Sequence, residues 1–99
     1  MDKRQNEDRH TLFAALLSLE TEEECRLLLE DLCTVKEISD MAQRLRVARL
    51  LRAKVSYAAI NQETGISTAT ISRVSRCLDY GAGGYDLVLA RLGREERHG

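Results

Sequence analysis

An all-α fold of about six helices is the expectation from this sequence, on three observations. The chain contains no proline, so nothing forces a break inside a helical stretch. Long stretches are rich in Leu, Ala, Arg and Glu, which give up little on entering a helix. No segment alternates apolar and polar residues as a half-buried strand does, and no internal repeat is visible.

Each helix has a local reason to start or stop. Residues 11–19 (TLFAALLSL) form a first apolar helical run. Thr21 followed by Glu24 is a capping box, opening a helix through about Cys33 with Cys25, Leu28 and Leu32 on one side. Thr34 followed by Glu37 repeats the device and opens a longer helix to about Lys54. Its apolar residues (Ile38, Met41, Leu45, Ala48, Leu50, Leu51) spread over more than one face, as expected for contact with several neighbours or a second subunit. Ser56 caps a helix over about 57–64, which Gly65 ends in the left-handed conformation glycine adopts at low cost. Ser67 caps the next, from about Thr68 to Tyr80. The run Gly81-Ala82-Gly83-Gly84 breaks the pattern before a last helix from about Tyr85 to Leu92. The expected organisation is one domain over residues 10–92, with a flexible N-terminal segment (1–9) and a flexible tail (93–99).

Composition narrows the function classes. No apolar run is long enough to span a membrane, and the polar opening MDKRQNEDRH does not resemble a signal peptide. Cys25, Cys33 and Cys77 are odd in number and none forms a Cys-x-x-Cys pair, which fits reduced thiols packed as small hydrophobes in a cytoplasmic protein. Three Tyr and one Phe provide no stacking platform for single-stranded nucleic acid. An enzyme is not expected, since no phosphate loop, metal-ligand spacing or nucleophile–base pairing is visible, and His10 and His98 lie near the ends. No metal and no cofactor are expected.

The net charge of −1 hides an asymmetry. Residues 1–40 carry a local net of −6, residues 41–78 one of +6, and residues 79–99 one of −1. A nearly neutral protein can still bind an anionic polymer through one basic segment. The same arginines are also compatible with a solvated helix face paired to the acidic half.

The basic segment contains the most informative stretch, INQETGISTATISRVSRCL at 60–78. A helix-turn-helix wants glycine at its turn, and apolar residues five before it and one, six and nine after it, because those side chains meet between the helices. The chain supplies Gly65, Ile60, Ile66, Ile71 and Val74. Asn61 departs from the small residue usual four before the glycine, and Thr64 is only half apolar. The outward face is not an ordinary solvated one. It carries Ser67, Thr68, Ala69, Thr70, Ser72, Arg73 and Arg76, with no acid before Asp79. Small residues let a helix enter the major groove, hydroxyls and arginines reach phosphates and bases, and the positive helix end favours a phosphate. Ser56 and Tyr57, at the start of the first motif helix, complete the candidate contacts to double-stranded DNA.

The run Gly65, Ala69, Thr70, Ile71, Ser72, Arg73 resembles the Trp repressor superfamily. The stretches LLSLETEEECRLLLEDLCTVKEISDMAQRL and ETGISTATISRVSRCLDYGAGGYDLVL resemble its YerC/YecD family, over roughly residues 10–92. The resemblance implies an intertwined homodimer and sequence-specific DNA binding. It implies that Thr68, Ala69 and Ser72 face the bases, largely through water, and that Arg73 touches an effector and helps place the reading head. Arg44, or a neighbour of it, corresponds to a second pocket arginine. Other positions depart: Val74 stands for a glycine, Cys77 for a pocket serine, and Ala58 for an arginine that contacts DNA. Valine fills space an indole needs, which argues against L-tryptophan as the effector.

The expected function is a dimeric transcriptional regulator, a repressor reading a near-palindromic operator, gated by an effector the sequence does not identify. The alternative is a helical protein-interaction or adaptor module that keeps the fold without DNA recognition.

Overall fold

The computed structural model describes residues 2–98, with side chains described for 2–94. It contains six helices and, among the described residues, no strand: α1 (Lys3–Leu17), α2 (Glu22–Leu32), α3 (Val35–Arg52), α4 (Tyr57–Thr64), α5 (Thr68–Tyr80) and α6 (Gly84–His98). The chain divides into two compact units, residues 1–38 and 39–99.

In the first unit, α1 begins earlier than its composition suggested. Residues 3–9, set outside the domain by their polarity, are helical. Asp2 and Gln5 form a reciprocal capping box: Asp2 Oδ1 accepts from the Gln5 amide at 2.9 Å and the Asp2 amide donates to Gln5 Oε1 at 3.2 Å. Thr21 caps α2 by accepting from the Glu24 amide at 3.1 Å. The Glu24 carboxylate reaches one residue further back than a standard box, accepting from the Glu20 amide at 2.9 Å. At Thr34 the box is complete, with Thr34 Oγ1 to the Glu37 amide at 3.1 Å and Glu37 Oε1 to the Thr34 amide at 2.8 Å. Neither α1 nor α2 contains a buried residue.

The second unit holds the core. Val47 and Ala48 of α3, Ile60 of α4, Ile66 of the turn, and Ile71 and Val74 of α5 form one buried cluster. Leu50, Leu51, Val55, Leu78, Tyr85 and Leu89 pack against it. α3 ends in a Schellman motif, with the Val55 amide donating to the Leu50 carbonyl at 3.1 Å and the Lys54 amide to the Leu51 carbonyl at 3.0 Å. Arg52 of α3 pairs with Asp86 of α6 through Nε at 2.8 Å and through Nη2. Gly81 ends α5, where a Cβ would collide with the Cys77 carbonyl oxygen. α6 runs through Gly93 to His98, past the expected end at Leu92, because the good helix formers Arg94, Glu95 and Glu96 outweigh one glycine. Met1 and Gly99, the outer ends of the two expected flexible segments, lie outside the described residues, as does the side chain of His98.

Candidate nucleic-acid interface

The expected helix-turn-helix is α4, the turn at Gly65–Ser67, and α5. Ser56 caps α4, its Oγ accepting from the Ala59 amide at 3.2 Å. Gly65 adopts φ 73° and its amide donates to the Asn61 carbonyl at 2.9 Å, so α4 closes on a left-handed residue. Ser67 caps α5 by accepting from the Thr70 amide at 3.2 Å. Ile60, Ile66, Ile71 and Val74, the four apolar positions the motif requires, are all buried in the same cluster.

That burial fixes which side of α5 faces out. At about 100° per residue, Thr68, Ala69, Ser72, Arg73 and Arg76 fall within an arc of roughly 140°, centred nearly opposite Ile71 and Val74. All five are exposed. The structure brings these candidates together as one surface with no acid before Asp79, which falls on the same arc in the last turn of α5. Thr70 sits at its border and is half-buried. Its hydroxyl accepts from Ser67 Oγ at 3.1 Å, so these two hydroxyls first serve the cap. Ser56 and Tyr57 are exposed at the N-terminus of α4.

The basic segment, continuous in sequence, is divided in space. Arg73 and Arg76 belong to the outward face of α5. Arg46 and Arg49 are exposed on the side of α3 opposite Val47 and Ala48, and hence away from the core that α5 packs on. Arg52 is engaged with Asp86. The net of +6 over residues 41–78 therefore overstates the charge available beside α5.

The two candidate effector arginines are placed differently. Arg44 is half-buried on α3 and Arg73 is exposed on α5. Val74, only 1% exposed, is part of the core and occupies the space under α5. Cys77 is exposed and lines an apolar cavity of about 520 Å³ with Leu45, Tyr85, Val88 and the Gly81–Gly84 loop, a wall that includes neither Arg44 nor Arg73.

Sequence reasoning passed over two residues as imperfect matches. Asn61 Nδ2 donates to the Ile66 carbonyl at 2.8 Å. Thr64 Oγ1 donates to the Ile60 carbonyl at 2.6 Å and accepts from the Ile66 amide at 3.0 Å. The signal was present as a polar residue where the motif prefers a small one, at Asn61, and a half-apolar one at Thr64.

Known proteins share this sequence and fold. Residues 7–93 match the family model described as Trp repressor protein. The uncharacterized protein YerC of Bacillus subtilis (strain 168) is 49% identical over 96 residues, covering 97% of this chain and 92% of YerC. The structure of a TrpR-like protein from Eubacterium eligens ATCC 27750 superposes with a TM-score of 0.81 at 50% identity, covering 85% of this chain and 87% of that one. That of a candidate Trp repressor from Staphylococcus aureus superposes with a TM-score of 0.84 at 44% identity, covering 94% and 95%. The family model and the similarity over nearly the whole chain place it in the Trp repressor family, beside YerC.

Proposed function

We propose that this protein is a sequence-specific, DNA-binding transcriptional repressor that works as a homodimer. The observation that carries the reading is the outward face of α5, where Thr68, Ala69, Ser72, Arg73 and Arg76 form an exposed surface with no acidic side chain before Asp79 in the last turn. Thr68, Ala69 and Ser72 face base edges, with room for bridging water beside their short side chains. Arg73 and Arg76 meet phosphates, and Ser56, Tyr57, Ser67 and Thr70 line the approaches at the two helix starts. Membership of a family of DNA-binding regulators supports the same reading. Two copies related by a two-fold axis would set their α5 helices ~34 Å apart and read a near-palindrome.

The test is selection of sites from random duplex DNA at moderate salt, with and without a pool of amino acids and related metabolites. An enriched palindrome names the operator, and a shift in its affinity with one metabolite names an effector. Affinity for the selected site should fall with salt at a log–log slope of about 0.9 per neutralised phosphate. Arg73→Ala with Arg76→Ala should reduce that slope by about 2 while leaving the oligomeric state unchanged. No enriched site, or a salt-independent affinity, would point instead to an adaptor that kept the fold alone.

A further inference from the structure

We infer that Asn61 and Thr64 are positioning residues that set the angle at which α5 is presented, and thereby its affinity for DNA, without touching the DNA. The inference rests on α5 being the reading helix, and it concerns what aims that helix.

Ile66 is the link between the two helices of the motif. It follows Gly65, precedes the cap residue Ser67, and buries its side chain to 7% exposure. Both of its backbone polar groups are taken by side chains from the last turn of α4. Asn61 Nδ2 holds the carbonyl at 2.8 Å and Thr64 Oγ1 holds the amide at 3.0 Å. Thr64 is itself anchored, because its hydroxyl proton goes to the Ile60 carbonyl at 2.6 Å. The Gly65 amide closes the loop on the Asn61 carbonyl at 2.9 Å. The turn is therefore gripped at three successive points: the Gly65 amide, the Ile66 amide and the Ile66 carbonyl.

Hydrophobic contact alone would not do this. The apolar cluster fixes which side of α5 is buried, but such contacts are non-directional and tolerate small changes in the helix's tilt. Hydrogen bonds with donor–acceptor distances near 2.8 Å impose direction. The leverage is large, because α5 has 13 residues. At 1.5 Å per residue, a 10° error at the turn moves its far end by roughly 3 Å. Contacts to base edges and phosphates are lost over far smaller displacements. The two polar side chains that depart from the small and apolar residues usual at these positions thus have a directional role that such residues cannot perform.

The experiment uses the full chain and two readouts. Residual dipolar couplings in the DNA-free protein report the orientation of α5 relative to α4. Binding to the selected operator reports the consequence. Thr64→Val removes the hydroxyl at nearly constant volume, Thr64→Ser restores it, and Asn61→Ala removes the second grip. The expected result is a changed α5 orientation in the Thr64→Val, Asn61→Ala double variant, a loss of operator affinity of roughly tenfold or more, and recovery to within about twofold with Thr64→Ser alone. A double variant whose α5 orientation matches wild type overturns the inference. So does a Thr64→Ser variant as impaired as Thr64→Val, since that assigns the effect to the lost methyl and its packing. If the wild-type protein binds no operator, the reading of α5 as a DNA reader fails, while the dipolar couplings still decide whether Asn61 and Thr64 aim it.

Discussion

Among the described residues, Lys54 is the one non-glycine with a positive φ, 66°, at the point where α3 turns into the motif. A side chain in this conformation brings Cβ close to the following carbonyl, at a cost of about 1–2 kcal/mol. The Schellman hydrogen bonds on either side hold it there. Lys54→Gly should therefore stabilise the protein by about 0.5–1 kcal/mol after the extra freedom of glycine in the unfolded chain is subtracted. The midpoint of urea unfolding measures it, and an unchanged or lower midpoint contradicts it. Val74 makes the opposite case. It is fully packed, so Val74→Ala deletes two buried methyl groups and should cost about 2 kcal/mol in the same measurement. A third residue-scale effect concerns charge. Arg26 sits between Glu23 and Glu30, donating through Nε to Glu23 at 3.0 Å and through Nη1 to Glu30 at 2.7 Å. The guanidinium holds the Glu23 carboxyl below the usual glutamate range. A carboxylate whose folded pKa is depressed supports the fold above its unfolded pKa, and that support disappears as pH falls through the lower, folded value. The Glu23 carboxyl carbon should accordingly titrate at lower pH than an ordinary glutamate, and Arg26→Gln should bring it back.

At the scale of the elements, the cap of α5 joins stability to recognition. Ser67 Oγ satisfies the Thr70 amide and donates to the Thr70 hydroxyl. Ser67→Ala should cost about 1 kcal/mol, as lost caps do. Ser67→Asp keeps an acceptor at the cap and suits the positive helix end, so stability should hold. The same carboxylate would repel DNA phosphates, so operator affinity should fall although the fold does not weaken. Equal affinity for Ser67→Asp and wild type would remove this end of α5 from the interface. The caps were legible in the sequence because a cap is a local device: Thr21, Thr34, Ser56 and Ser67 each meet a partner three residues on. So were Ile60, Ile71 and Val74, whose spacing follows from helix geometry. The roles of Asn61 and Thr64 were not, because their partner is the backbone of Ile66 beyond a turn, whose position exists only once Gly65 has reversed the chain. The start of α1 was missed for a related reason. An Asp2–Gln5 box in a highly charged segment looks like solvated chain until both hydrogen bonds are drawn.

The whole molecule raises the question of what covers its apolar side chains. Among the described residues the buried cluster spans Val47 to Val74, all in the second unit. Leu12, Phe13, Leu16 and Leu17 of α1 are exposed, Leu17 to 86%, and so are Leu27 and Leu32 of α2. Large aliphatic and aromatic side chains grouped on two helices without a buried residue are characteristic of an interface rather than a solvated surface. The charge distribution agrees, since residues 1–40 carry a net of −6 while Arg46 and Arg49 are exposed on α3 away from the core. A second copy offers both an apolar partner and the opposite charge, which is the homodimer of the proposed function. Folding and association would then be one event, and stability would depend on concentration. Raising the protein concentration a hundredfold should add about 2.7 kcal/mol to the apparent stability of the dimer, a shift of several degrees in Tm. Phe13→Glu should lower Tm at fixed concentration and shift the sedimentation profile toward monomer, because it sets a charge among the exposed apolar residues of α1. A Tm unchanged across that concentration range, with sedimentation as a monomer, would falsify the dimer and leave α1 and α2 without cover.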